Sequence, residues 1–327
     1  MTATFPFLRL RRLRHHPVLR DLVREASINR EDLIFPLFIK GKEGPRLPIA
    51  SMPGIDQIPL SQLDAEIKEL KKIGISSVIL FGIPSHKDSH GLSALSEEGI
   101  IQEAIRRIHN TDPEMLVISD LCLCEYTDHG HCGVINPALG CIDNDQTLEL
   151  LVKQAISHAK AGVDVIAPSG MIDGMVHAIR SGLDEAGFKH IPILSYSVKY
   201  HSSLYGPFRI AAEGAPSFGD RSSHQMDPAN GAEALREVAL DVQEGADLLM
   251  VKPAHAYLDV IYRVKSAYPH IPLGAYHTSG EFAMIKAAAE KGWVDEKKAV
   301  LEILRGIRRA GADFIITYYA KDVARWL

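Results

Sequence analysis

One unit recurs along the chain: a short apolar run, an amphipathic helical stripe, and a glycine that stops the helix just before the next apolar run. The exits Gly162-Val163-Asp164, Gly245-Ala246-Asp247 and Gly311-Ala312-Asp313 show it most plainly. Glycine accepts the left-handed conformation at a helix end, so the chain turns back within a couple of residues. Candidate strands are Leu33–Ile39, Ser77–Phe81, Leu116–Leu121, Val163–Ala167, Ile193–Tyr196, Leu248–Lys252, Leu273–Tyr276 and Phe314–Thr317. They are nearly continuous apolar runs, as parallel strands covered on both faces require. Between them lie stripes of helical period, such as Leu63, Ile67 and Leu70, or Leu151, Ala155 and Ile156. Eight strands alternating with helices, with no second compositional region, predict an α/β fold: a (β/α)8 TIM barrel. A doubly wound open sheet is the alternative.

The 327 residues accommodate a barrel of about 250 residues with extensions. We divide them into an N-terminal arm, 1–30, and a catalytic barrel, 31–327, with an active-site lid at about 200–227. Lys and Arg number 36 against 41 Asp and Glu, a net charge of −5, which speaks against a nucleic-acid partner. No apolar run approaches the ~18 residues of a membrane helix. Arg9, Arg11, Arg12, Arg14 and Arg20 all precede the first acid, Asp21. We read this start as an arm that docks on a neighbouring subunit; a transit peptide or a nucleic-acid-binding arm are the alternatives. It lacks serine enrichment and an apolar secretory core, so the expected location is cytoplasmic.

In a barrel of this kind chemistry sits where strands end and loops begin. Leu248-Leu249-Met250-Val251-Lys252-Pro253 carries an ammonium to the end of an apolar strand, and Ser195-Tyr196-Ser197-Val198-Lys199 places a second one just past the preceding strand. Burial and a like-charged neighbour both disfavour the charged form, leaving an amine able to attack a ketone and form a Schiff base. The competing reading is a lysine paired with an acid or turned to solvent.

All four cysteines fall in one segment, Cys122, Cys124, Cys132 and Cys141. The spacing Cys-x-Cys, with Gly130 allowing Cys132 to fold back, suits three thiolates on a soft or borderline cation such as zinc. His129, His131 or Cys141 are candidates for a fourth ligand. The long connection from Lys199 to Leu248 carries Arg209 and Arg221 among glycines, suited to a substrate carboxylate or phosphate. Ser279 and Tyr318 follow the last two strands, beside Gly280 and a helix expected to begin near Glu281. Neither G-x-G-x-x-G nor a Walker-type loop occurs, so no nucleotide is signalled.

With these motifs in view, the sequence resembles the porphobilinogen synthase (δ-aminolevulinic acid dehydratase) family, of the zinc-cysteine type, over essentially its whole length. The likeness rests on Asp120-Leu121-Cys122-Leu123-Cys124 through His131-Cys132-Gly133, Ser195-Tyr196-Ser197-Val198-Lys199, Tyr205-Gly206-Pro207-Phe208-Arg209 and Met250-Val251-Lys252-Pro253. It implies a homo-octameric TIM barrel whose arm embraces a neighbour. The implied reaction condenses two 5-aminolevulinate molecules to porphobilinogen with loss of two waters, a lyase step early in tetrapyrrole and heme synthesis. It implies that Lys252 and Lys199 form Schiff bases, that Ser279 and Tyr318 hold one substrate carboxylate, and that Arg209, Arg221 and Gln225 hold the other. Cys122, Cys124 and Cys132 would bind catalytic Zn2+, with Asp120 a candidate for proton transfer. Glu237 matches a position that holds allosteric Mg2+ in many bacterial relatives. Ser223 stands where some members have a cysteine, so no second zinc is expected there. A class I aldolase and a non-catalytic zinc protein are the competing functions.

Overall fold

The structure, a computed structural model, describes residues 4–327; residues 1–3 of the expected arm lie outside the described residues. Eight parallel strands form the centre: β1 Leu33–Lys40, β2 Ser77–Ile83, β3 Leu116–Leu121, β4 Val165–Pro168, β5 Leu194–Lys199, β6 Leu248–Lys252, β7 Leu273–His277 and β8 Phe314–Thr317. Their order is β4-β3-β2-β1-β8-β7-β6-β5, and a parallel bridge between Ile166 and Ile193 joins the two ends. The sheet therefore curls into a nearly closed barrel, and the open-sheet alternative is not realised. Each strand is buried almost throughout, Leu33–Ile39 without interruption. That explains the lack of alternation in the sequence: barrel packing lies on one side of each strand and helices on the other.

The helices sit where the stripes placed them. Leu60–Ile73 buries Leu63, Ile67 and Leu70, and Asn144–Ala161 buries Leu151 and Ala155. Gly162, Gly245 and Gly311 cap their helices in the left-handed region, with φ of 95, 104 and 118°. Several element ends differ from expectation by one to three residues, three of them with a clear local cause or consequence. β4 begins at Val165 rather than Val163, because Gly162 to Asp164 make the turn, with the Asp164 carboxylate accepting from the Val117 amide at 2.7 Å. β5 runs on to Lys199, so that lysine is part of the strand rather than just past it. The helix expected near Glu281 starts at Ser279, where Thr278 and Glu281 form a reciprocal cap.

Residues 4–24 stand apart from this core. The turns Leu10–Arg14 and Pro17–Leu22 bury none of their side chains, and Phe5, Phe7, Leu10 and Leu22 are exposed. No helix among the described residues is long and apolar enough to cross a membrane.

Candidate active site

The two lysines meet at the barrel mouth through an irregularity between β5 and β6. Leu194 pairs with Leu248 and Ser195 with Leu249, but then Val198 pairs with Val251 and Lys199 with Lys252. Tyr196 and Ser197 thus stand opposite Met250 alone, a bulge of the sort that re-aims side chains near active sites. It brings Tyr196 and Lys199 to the same side. The Tyr196 ring centre lies 5.1 Å from Lys252 Nζ and 5.7 Å from Lys199 Nζ.

Lys252 is enclosed by aromatic faces: Tyr276 at 4.2 Å, Phe208 at 5.1 Å and Tyr205 at 5.2 Å from its nitrogen. Both lysines are buried, and neither forms a salt bridge among the described residues. The reading of an acid-paired or solvent-facing lysine therefore does not describe this geometry. Burial, then the like charge of Lys199, push the Lys252 ammonium down to about 7, against the opposing pull of Asp120. Lys199 donates to the carbonyl of Ser169, the residue after β4. Ser169 Oγ donates to Asp120 Oδ2 at 3.1 Å, while Asp120 Oδ1 is buried with no partner. Burial raises the Asp120 carboxyl to about 6 even though both lysine charges pull it down.

Opposite the lysines, the loop after β3 gathers three thiols. The sulfurs of Cys122, Cys124 and Cys132 lie within 4.8 Å of one another, and Cys122 and Cys124 are 3.3 Å apart. All three are buried. Hydrogen bonds from Cys122 and Cys124, aided by the charges of Arg221 and Lys199, hold the Cys132 thiol well below its ordinary value. The hydrogen bonds from Cys124 and Cys132, together with burial, push the Cys122 thiol up, and a buried trio of free sulfurs of this kind fits a thiophilic cation. None of the three suggested fourth ligands joins it. His131 Nε2 meets the Phe218 carbonyl at 3.0 Å, His129 Nε2 meets the Ser89 carbonyl at 3.1 Å, and Cys141 sits half-buried in a short hairpin. Three protein sulfurs leave a position for substrate or water.

The connection after β5 crosses over this chamber. Arg221 is buried, and its guanidinium donates to the carbonyls of Gly130 at 2.8 Å and Gly214 at 2.6 Å. Its Nε, the Nε and Nη2 of Arg209, and both amide atoms of Gln225 are buried without partners. Unpaired donors gathered in one place are costly unless a ligand accepts from them. Ser279 Oγ accepts from the Phe208 amide at 2.9 Å, and Tyr318 hydroxyl meets that of Tyr276 at 3.0 Å.

Glu237 lies elsewhere. It lines a cavity of about 820 Å³ shared with Asp173, Glu233 and Asp241 but with neither lysine. Burial and those three acids raise its carboxyl to about 7. Among the described residues only the three thiols form a preassembled metal-ligating group.

Sequence reasoning did not single out the ring wall of Tyr196, Tyr205, Phe208 and Tyr276, or Ser169. A signal existed for Ser169, which follows a predicted strand directly before Gly170. For the aromatic wall there was less, because Tyr196 reaches the chamber only through the bulge.

Comparison with known proteins decides the family. The sequence model described as Delta-aminolevulinic acid dehydratase matches residues 7–326. The chain belongs to the delta-aminolevulinic acid dehydratase family. It is 56% identical over 327 residues to the delta-aminolevulinic acid dehydratase of Halalkalibacterium halodurans, covering 100% of this chain and 99% of that protein. The Staphylococcus aureus enzyme of the same name is 52% identical over 321 residues, 98% of this chain and 99% of the relative. Among solved structures, delta-aminolevulinic acid dehydratase (porphobilinogen synthase) of Toxoplasma gondii ME49, in complex with its reaction product porphobilinogen, superposes with a TM-score of 0.95 at 43% identity. That match covers 98% of this chain and 91% of the other. A relation this close to other delta-aminolevulinic acid dehydratases leaves no room for the aldolase or the non-catalytic zinc protein.

Proposed function

We infer that the chain carries out the porphobilinogen synthase reaction: two 5-aminolevulinate molecules are joined to give porphobilinogen, and two waters leave. One observation carries the assignment of roles: Lys199 and Lys252 face each other in register, buried, with aromatic faces around the second. A neutral Lys252 attacks the ketone of the first substrate and expels water, giving an imine. Once protonated, that imine is a cation, which the faces of Tyr276, Tyr196, Phe208 and Tyr205 stabilise. It withdraws electrons from the adjacent carbon and so acidifies it for carbon–carbon bond formation. Lys199 engages the ketone of the second substrate. Asp120, with a free buried oxygen and a raised pKa, exchanges protons at that centre.

Ser279 and Tyr318 hold the carboxylate of the first substrate. Arg209, Arg221 and Gln225 hold that of the second, which answers their unpaired donors. Cys122, Cys124 and Cys132 hold a zinc ion, whose contribution when bound is to polarise a substrate oxygen. The acids around Glu237 support magnesium binding there, in a cavity that Gln225 also lines and neither lysine does. The bare apolar and arginine-rich arm supports assembly with other copies, to an octamer by the family likeness, in the cytoplasm.

The test is direct. Purified protein incubated with 5-aminolevulinate yields a pyrrole that colours with an acidic aldehyde reagent, and borohydride with substrate traps a reduced adduct on Lys252. No pyrrole, or an adduct on another residue, would overturn these roles.

A further inference from the structure

The lid is tied to the barrel at one residue that takes no part in the chemistry above. Glu213 lies just past the short lid helix Gly206–Ala211 and holds a left-handed backbone, φ 51°, uncommon for a residue with a side chain. Three groups on the fixed barrel converge on it. Lys40, the last residue of β1, pairs with its carboxylate. Gln57, on a short strand beside β1, donates to the same oxygen at 3.2 Å and to the Ala211 carbonyl at 2.8 Å. Lys87, in the loop after β2, donates to the Glu213 carbonyl at 2.5 Å.

The chain on either side of this point carries the proposed carboxylate-binding groups. Gly214 donates its amide to the Arg209 carbonyl at 3.1 Å and accepts from Arg221 at 2.6 Å. A side chain at 214 would press on the Cys124 carbonyl, 3.0 Å from the added carbon, so the lid rests directly on the thiol loop. Whatever holds residue 213 thus sets where both guanidiniums stand.

We propose that Glu213 is a positioning residue: its ion pair with Lys40 latches the lid to the rim of β1 and so places Arg209 and Arg221 for the second substrate. The turn is not an optimum for its own sequence, since the left-handed conformation is unfavourable for a residue with a side chain. The contacts from Lys40, Gln57 and Lys87 compensate for it. The pair is half exposed, which fits a contact that must open to admit substrate and release product. The inference rests on the assigned reaction for its kinetic arm and on the bare protein for its structural arm.

The test uses the full chain with Glu213→Asn, because asparagine tolerates the backbone conformation but its amide neither bears charge nor reaches as far. Amide exchange across 201–226 should accelerate without substrate. The KM for 5-aminolevulinate should rise about tenfold with kcat changed by no more than about twofold, as loss of a binding geometry predicts. Lys40→Glu should behave alike, and the exchanged pair Lys40→Glu with Glu213→Lys should recover both readouts. Exchange and KM like those of the unaltered protein in Glu213→Asn, a fall in thermal stability alone, or a swapped pair no better than its single variants would each overturn the latch. Faster exchange in a protein that makes no pyrrole would sustain the latch and refute the reaction instead.

Discussion

The two walls of the chamber are built in opposite ways. The lysine wall stands on adjacent strands, where ladder pairing sets the two residues side by side, with rings around Lys252 and the Ser169 carbonyl against Lys199. The thiol wall stands on a loop, and there ionisable groups gather: three sulfurs, the guanidinium of Arg221 and the Glu125 carboxyl, which burial pushes up. In the proposed reaction one wall makes a nucleophile by burial and a like-charged neighbour, which disfavour the ammonium. The other gathers ionisable groups around a point that a cation would complete. A strand is suited to the first task, since a rigid ladder keeps an ammonium from swinging to water. A loop is suited to the second, since it lets three ligand atoms approach one point.

This contrast can be broken in the following ways. Lys252→Ala should cost on the order of 10⁴-fold or more in turnover, with the far-ultraviolet circular dichroism unchanged. Comparable activity in that variant would mean the strand wall does not supply the nucleophile. Removing metal with a chelator should cost on the order of 10³-fold, recovered by zinc. Borohydride trapping at Lys252 should survive the chelation, because the amine is prepared by burial and by Lys199 rather than by the sulfurs. Loss of trapping together with turnover would merge the two walls into one device.

A third test concerns pH. With Lys252 at about 7, the rate of imine trapping should climb roughly tenfold per unit as pH rises toward 7 and level off above it. Asp120→Asn should move the bend to lower pH, since its carboxylate favours the ammonium. An unmoved bend would separate Asp120 from the lysines electrostatically.

The smallest effect is on stability. The folded chain holds Lys252 below its ordinary value, so at pH between about 7 and 10.5 the unfolded chain binds a proton that the folded chain refuses. Folding stability from this group is therefore full above 10.5 and falls as pH drops toward 7. Lys252→Met should raise the unfolding free energy at neutral pH, by about 1–3 kcal/mol once packing differences are included. A less stable variant in urea titrations would contradict the strain assigned to this wall.

Much of this was legible beforehand, for reasons particular residues make clear. The strands announced themselves because both faces are buried, and the helix exits because Gly162, Gly245 and Gly311 need positive φ. Cys122, Cys124 and Cys132 were legible because few other roles suit thiols at that spacing. Ring faces around Lys252 were not, since an aromatic residue in a buried strand reads as core until its neighbours are known. Glu213 escaped for a similar reason. A lone acid on a polar connection carries no signal until Lys40 and Lys87, more than a hundred residues away in sequence, are brought against it.

The bulge in β5 decides whether the two amines stay abreast. Leu194 and Ser195 keep one register against β6, Val198 and Lys199 another, and the residue between them that has no partner makes the change. With every residue kept and the pairing run evenly from Ser195, Val198 would face Lys252 and the amines would part company. The meeting of the nucleophiles thus hangs on one unmatched rung of the ladder rather than on unbroken pairing.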